Sequence, residues 1–278
     1  MKRARKISSS TIRRQKIRIA IRNSPSPPLA ENHFKALLEA DGANAISKIP
    51  AAQLPTLFYL LGSSSYLSDV LIRQGKQWPE LFLRQIKIER RTVAEHLALL
   101  EPSMKGSSSL DDACAALRQH KQREYLRIGA RDLLPSITLE ETVRELTALG
   151  EASLEAAYRF CRTEVEKDYG VLNLPDSRTP NRFVILGMGK LGGSELNFSS
   201  DVDVIFLYAS DEGESVGGPK GKKAPREFFA EIGKRIIQAM GQVTEDGFVF
   251  RTDLRLRPLG VNGPLVQSIG SAMLYYES

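Results

Sequence analysis

Residues 182–208 read RFVILGMGKLGGSELNFSSDVDVIFLY, and the fold expected for the whole chain turns on this stretch. Phe183-Val184-Ile185-Leu186 is an apolar run short enough for a buried strand. Gly187 to Gly193 is a glycine-rich turn, and Ser199-Ser200-Asp201-Val202-Asp203 runs into a second apolar strand, Val204 to Tyr208. Strand side chains alternate between faces. Asp201 and Asp203 therefore leave one face, and Val202, Val204 and Phe206 leave the other. Two carboxylates side by side repel, and burying them unpaired is costly. A hard cation such as Mg²⁺ resolves this, because it shares its shell between one or two carboxylates and substrate phosphates. The glycines suit the same partner by letting backbone N–H groups approach phosphate oxygens, and Lys190 adds a positive charge.

Either signal alone is weak, since an isolated Asp-x-Asp is most often a solvated strand end. Together, on two strands joined by a short turn, they specify a phosphate-handling site. The common phosphate motifs do not fit. The stretch contains no G-x-x-x-x-G-K-[ST], and Gly187-x-Gly189-x-x-Gly192 matches a dinucleotide fingerprint only in spacing. A third carboxylate lies downstream. From Phe250 the sequence alternates, with Phe250, Leu254 and Leu256 on one face of an expected strand and Arg251, Asp253, Arg255 and Arg257 on the other. Arginines around an aspartate suit a polyphosphate beside a metal-binding acid. Three aspartates on neighbouring strands suit two metals and in-line nucleotidyl transfer.

GMGKLGGSELNFSSDVDVIFLY and DLRLRPLGVNGPLVQS closely resemble the nucleotidyltransferase core of the bifunctional glutamine synthetase adenylyltransferase / adenylyl-removing enzyme family. Upstream, YLLGSSSYL (59–67) and REYLRIGARDL (123–133) resemble that family's helical lead-in. The resemblance implies a DNA polymerase β-like core in an α+β chain. It implies Asp201, Asp203 and Asp253 as catalytic residues and ligands of one or two Mg²⁺ ions. Gly187, Gly189, Lys190, Gly192 and Ser200 are then candidate phosphate contacts, and Arg255 and Arg257 candidate charge stabilisers. ATP, ADP and phosphate are the implied substrates or products.

The family carries two such cores. One attaches AMP from ATP to a tyrosine of glutamine synthetase; the other removes it by phosphorolysis, forming ADP. A single core behind a helical lead-in reads as the removing half, truncated at its C-terminus. Glutamine synthetase is the implied partner, with a PII-type signal protein reached through segments absent here. The alternatives are attachment by this same core, a docking fragment without catalysis, and a nucleic-acid nucleotidyltransferase.

Composition narrows the class. The net charge is +6, but Met1 to Arg22 holds nine basic residues and no acid, so removing those nine charges leaves −3 on the remainder. A mildly acidic body speaks against nucleic acid as partner. No apolar run is long enough for a bilayer, and the expected compartment is the bacterial cytoplasm. Two cysteines, Cys114 and Cys161, lack metal spacing and read as buried thiols. His33, His96 and His120 are scattered and are assigned no chemistry.

Three segments are expected. Residues 1–28 form a disordered basic tail and linker, with Ser24-Pro25-Ser26-Pro27-Pro28 breaking structure. Residues 29–180 form the helical lead-in, with helices over Leu54–Leu61, Tyr66–Ile72, Glu89–Leu100 ending at Pro102, Leu110–Ile128 and Leu139–Tyr169. Arg123, Arg127 and Arg131 make a stripe read as a solvated face paired with Glu124 or Asp132. Residues 181–278 form the catalytic core, with Ser210–Pro225 as a mobile surface loop and an amphipathic helix over Phe228–Met240.

Overall fold

A computed structural model describes residues 9–41, 45–86, 89–133, 137–175 and 178–278. The chain divides into two compact units, Met1–Glu89 with Gln122–Leu139, and Arg90–Lys121 with Glu140–Ser278. These boundaries differ from the sequential ones expected, because helix α7 (Leu110–Asp132) begins in one unit and ends in the other.

The first unit is helical. It holds α1 (Ser9–Arg22), α2 (Pro27–Asp41), α3 (Leu54–Ser63), α4 (Ser65–Arg73), α5 (Trp78–Gln85) and the end of α7. Leu37, Leu54, Leu57, Phe58, Leu61, Leu71, Trp78, Phe82 and Leu126 are fully buried in one cluster. The expected helices over 54–61 and 66–72 are both present, and Trp78 is core. Ser64 separates them and caps α4, accepting from the Leu67 amide at 3.3 Å.

The tail departs from expectation. Met1–Ser8 lie outside the described residues, but from Ser9 the chain is helix. Ile17, Ala20 and Ile21 pack on the core, and the Arg13 guanidinium donates to the carbonyls of Ile46 and Ile49. Basic composition hid an apolar stripe at helical spacing. The expected linker shrinks to a turn at Asn23–Ser26, and Pro27 opens α2, where its missing N–H costs nothing.

The arginine stripe is divided: Arg123 is exposed, as expected, Arg131 is half-buried, and Arg127 is not on a solvated face. Arg127 is fully buried, its Nε 2.6 Å from Glu124 Oε2 and its Nη1 donating to the Glu89 carbonyl at 2.9 Å. Glu124 is the expected partner, but both charges sit in the interior.

The second unit pairs helices with a small mixed sheet, giving the expected α+β class. Its helices are α6 (Val93–Gly106), the start of α7, α8 (Leu139–Tyr169), the short α9 (Gly189–Gly192), α10 (Pro225–Gly241) and α11 (Ile269–Glu277). Thr92 and Glu95 form a capping box at the start of α6, which runs through Pro102 to Gly106 rather than ending there. Cys114 and Cys161 are buried free thiols.

The strands are β1 (Phe183–Gly187), β2 (Val202–Tyr208), β3 (Thr252–Asp253) and β4 (Val266–Ser268). β2 is central. β1 pairs antiparallel along one side; on the other, β3 pairs parallel with its start and β4 parallel with its end. β1 is therefore an edge strand, not the buried strand expected. Phe183 is buried, but Val184 and Leu186 are 49% and 45% exposed. Phe183 stacks on Tyr158 of α8 (centroids 5.4 Å apart) and on Phe229 of α10 (5.5 Å), fixing both helices to the sheet. α10 also buries Ile232, Ile236 and Met240, as its periodicity requires. Among the described residues no helix is long and apolar enough to cross a membrane.

The glycine-rich loop after β2 is tied by its backbone to the end of α8. Val216 and Gly217 amides donate to the carbonyls of Val171 and Tyr169, each at 3.0 Å, and the Lys220 amide to Asp168 at 2.9 Å. These bonds occupy backbone groups at the end of α8. A Cβ on Gly218 would lie 2.6 Å from the Asp168 oxygen. Gly218→Ala is expected to cost about 1–3 kcal/mol, read as a lower urea midpoint at unchanged slope. Gly241→Ala, with nothing within 4 Å of its Cβ, is the control and should not lower the midpoint. Equal midpoints for both variants would show that the tether carries no load.

Candidate active site

The local sequence brings two carboxylates into register. β2 and β3 run parallel with Val202 opposite Thr252 and Asp203 opposite Asp253. Paired residues on neighbouring strands point to the same face. The register is held by the Val202 amide donating to the Arg251 carbonyl at 2.8 Å. Buried Val202 and Val204 anchor β2 from behind, so Asp203 must face forward.

The glycine turn closes over Asp203. The Met188 amide donates to the Asp203 carbonyl at 2.8 Å. Gly189 has φ +51°, and a Cβ there would lie 2.7 Å from Asp203 Oδ2. The position demands glycine twice, for its left-handed backbone and for its closeness to the carboxylate. Gly192 folds back on Gly187, whose carbonyl oxygen would sit 2.6 Å from a Gly192 Cβ. Lys190 is exposed and near enough for its charge to act on Asp203.

The electrostatics separate the acids. Burial, then the charges of Asp253 and Asp201, push the Asp203 carboxyl above its ordinary range, while Arg255 and Lys190 oppose the rise. Asp253 moves the other way. Arg255 grips it, donating from Nε to Oδ2 at 2.7 Å and from its backbone amide to Oδ1 at 2.8 Å, and this holds the carboxyl below its usual range. Asp201 precedes β2 and turns to Arg251, whose Nε is 2.6 Å away.

One expectation needs correction, and two candidate residues, Arg257 and Ser200, have protein partners here. The long alternating strand over 250–257 is only Thr252–Asp253. The Asp253 side chain captures the Arg255 amide two residues on and bends the backbone. Leu256 is consequently 50% exposed instead of sharing a buried face with Phe250 and Leu254. Arg257 turns its guanidinium to backbone carbonyls. It donates to the carbonyls of Leu254 (2.9 Å), Pro264 (3.1 Å) and Gly263 (3.2 Å), and so holds the turn after β3. The Ser200 hydroxyl bonds Asn197 Oδ1 at 2.9 Å and accepts from the Asn197 amide at 3.2 Å, so it locks the loop before Asp201.

Sequence reasoning passed over two residues here. Asn197 organises the loop, taking the Ser199 amide and both serine hydroxyls on its side-chain oxygen, and its Asn-x-Ser-Ser spacing is an Asx-turn signal. Arg251 was seen on the charged face, but not as the partner of Asp201. The histidines were read as scattered, yet His96 Nδ1 lies 3.0 Å from His120 Nε2 between α6 and α7.

As they stand, Asp201 and Asp253 are turned onto arginines, and among the described residues no group of three His, Cys, Asp or Glu is gathered to hold a metal. Asp203 and Asp253 together still offer hard oxygen donors in register, with like-charge repulsion that a cation relieves.

Comparison with known proteins bears on this site. The sequence profile of the family described as glutamate-ammonia ligase adenylyltransferase matches residues 54–278. Three relatives all carry the description bifunctional glutamine synthetase adenylyltransferase/adenylyl-removing enzyme. That of Shewanella oneidensis is 36% identical over 248 residues, 89% of this chain and 25% of the relative. That of Pseudomonas aeruginosa is 34% identical over 256 residues, 91% and 26%. That of Thioalkalivibrio sulfidiphilus is 44% identical over 162 residues, 58% and 16%. The chain thus spans about a quarter of the length of the first two.

Proposed function

Because the chain belongs to the glutamate-ammonia ligase adenylyltransferase family, we propose that its Asp203–Asp253 face removes AMP from an adenylylated tyrosine of glutamine synthetase by phosphorolysis. The observation that carries the proposal is the in-register pair of carboxylates under a glycine turn, with one acid raised and one lowered. The removing direction is supported by the helical lead-in before the sheet.

Asp203 and Asp253 are the residues that would hold Mg²⁺, with Asp201 close by. When bound, the ion supplies charge neutralisation at the phosphate oxygens. The chain's own residues do the rest. The Gly187–Gly192 turn presents its backbone beside Asp203. Lys190 and Arg255 place positive charge around the acids, where a phosphoryl group gains negative charge in the transition state. An oxygen of inorganic phosphate attacks the phosphorus of the AMP group. The bond from phosphorus to the tyrosine oxygen breaks, the tyrosine oxygen takes a proton, and ADP leaves.

The test is incubation with adenylylated glutamine synthetase, Mg²⁺ and phosphate, following ADP. Metal-dependent ADP release is expected, falling about 10²–10³-fold in Asp253→Asn. AMP transfer from ATP to unmodified synthetase, with no ADP release, would assign the opposite direction. Neither reaction from a folded chain would remove the catalytic reading.

A further inference from the structure

Lys121 is a buried cation that the site described above leaves unused. It lies near the middle of α7 with 8% of its surface exposed. Its Nζ donates to the Phe248 carbonyl at 3.1 Å. The same Nζ stands 5.0 Å from the centroid of the Phe248 ring and 5.5 Å from that of Phe250. The contact spans 127 positions of sequence. Burying a lysine costs free energy, and a leucine would fill the space without that cost. What lysine brings to this segment is an N–H aimed at the Phe248 carbonyl and a charge near the Phe248 and Phe250 rings.

The held segment leads directly into β3. The Val249 and Phe250 amides both reach the Met240 carbonyl at 3.0 Å, which fastens the segment to the end of α10. The Arg251 carbonyl then takes the Val202 amide, and Asp253 follows in register with Asp203. β3 is only two residues long, so its own ladder fixes it weakly. Its placement depends on what grips the residues before it. Three turns of α7 earlier, Asp111 approaches the Gln242 side-chain amide at 3.5 Å, so α7 lies along this segment at both ends.

We propose that Lys121 is a positioning residue for the active site, which sets the register of Asp253 against Asp203 by clamping the backbone and rings of Phe248–Phe250. Its role toward catalysis rests on the function proposed above; its role as an anchor does not. Burial pushes the Lys121 amine down to about 8. The anchor survives deprotonation, because the neutral amine keeps N–H donors for the carbonyl.

Lys121→Met keeps the length and apolar stem and removes the donor; Lys121→Arg keeps donor and charge. Amide hydrogen exchange reads the anchor directly. In Lys121→Met the Val249, Phe250 and Val202 amides should exchange about tenfold faster or more, with Lys121→Arg close to wild type. Phosphorolysis reads the consequence. In Lys121→Met kcat should fall up to about 100-fold, as misplacement of a reacting group predicts, with KM for the adenylylated synthetase unchanged. Lys121→Arg should recover most of kcat. Unchanged exchange in Lys121→Met, or a Lys121→Arg variant no better than the methionine, would overturn the proposal. A wild-type chain without phosphorolysis removes the reaction proposed above, and the exchange pattern then decides the anchor alone.

Discussion

Asp203→Asn is expected to lose about 10³-fold in turnover while melting no lower than the wild type. The two effects have one origin. Asp203 is held where its ionised form is disfavoured, by burial first and by Asp253 and Asp201 next. A carboxyl whose folded pKa lies above its unfolded value costs stability wherever it is ionised in the unfolded chain, as at neutral pH. Asparagine has nearly the same shape and no charge, so the metal-free fold loses a strain rather than a support. The same change removes the carboxylate that the glycine turn covers and that faces Asp253. Asp201→Asn should cost less activity, because Asp201 precedes β2, outside the register that sets Asp203 opposite Asp253, and its side chain is 36% exposed. Rates of ADP release and a thermal melt of both variants check this. Full activity in Asp203→Asn would show that the catalytic face lies elsewhere, and Asp201→Asn as damaging as Asp203→Asn would show that both acids of the Asp-x-Asp pair hold the metal.

Arg127→Ala should destabilise the first unit by about 3–5 kcal/mol. Arg127 is fully buried, its pair with Glu124 is 2.6 Å long, and Glu124 is itself 3% exposed in its side chain. Alanine would leave that carboxylate in a low-dielectric interior without its guanidinium and would free the Glu89 carbonyl that Arg127 now binds. Removing both charges together is a different experiment. Arg127→Met with Glu124→Leu keeps volume and removes both charges of the pair, and buried pairs replaced in this way are often neutral or better. The double variant should recover most of the loss. Urea unfolding of the two variants measures it, and a single variant no less stable than the double would mean that the pair does not support the fold.

The candidate site was legible in the sequence because its chemistry is local. Asp201 and Asp203 lie on one short segment, and the alternation of buried Val202, Val204 and Phe206 told which way the acids face. Asp253 was found because its arginine-rich surroundings are conspicuous, although the strand around it was overextended. Alternation cannot reveal that a side chain will capture a backbone amide two residues on, as Asp253 does with Arg255. The partners of Arg257 stayed hidden for a related reason: nothing in its spacing shows that a turn of carbonyls folds around it. In the tail, composition drowned the weak apolar period of Ile17, Ala20 and Ile21. Arg127 shows the limit most clearly, since a charged stripe at helical spacing looks alike whether it meets water or a buried glutamate.

The alternation of the chain between its two units has a consequence during synthesis. The first unit is built from Met1–Glu89 and Gln122–Leu139, and its core takes Leu126 and Ala130 from the later piece. A chain leaving the ribosome at about 5–20 residues per second therefore exposes the apolar faces of α2 and α3 for several seconds before α7 arrives. In that interval it delivers Arg90–Lys121, which belongs to the other unit and must itself wait for Glu140 onward. A nascent chain halted at Lys121 presents an open first core, and one extended past Leu139 can close it.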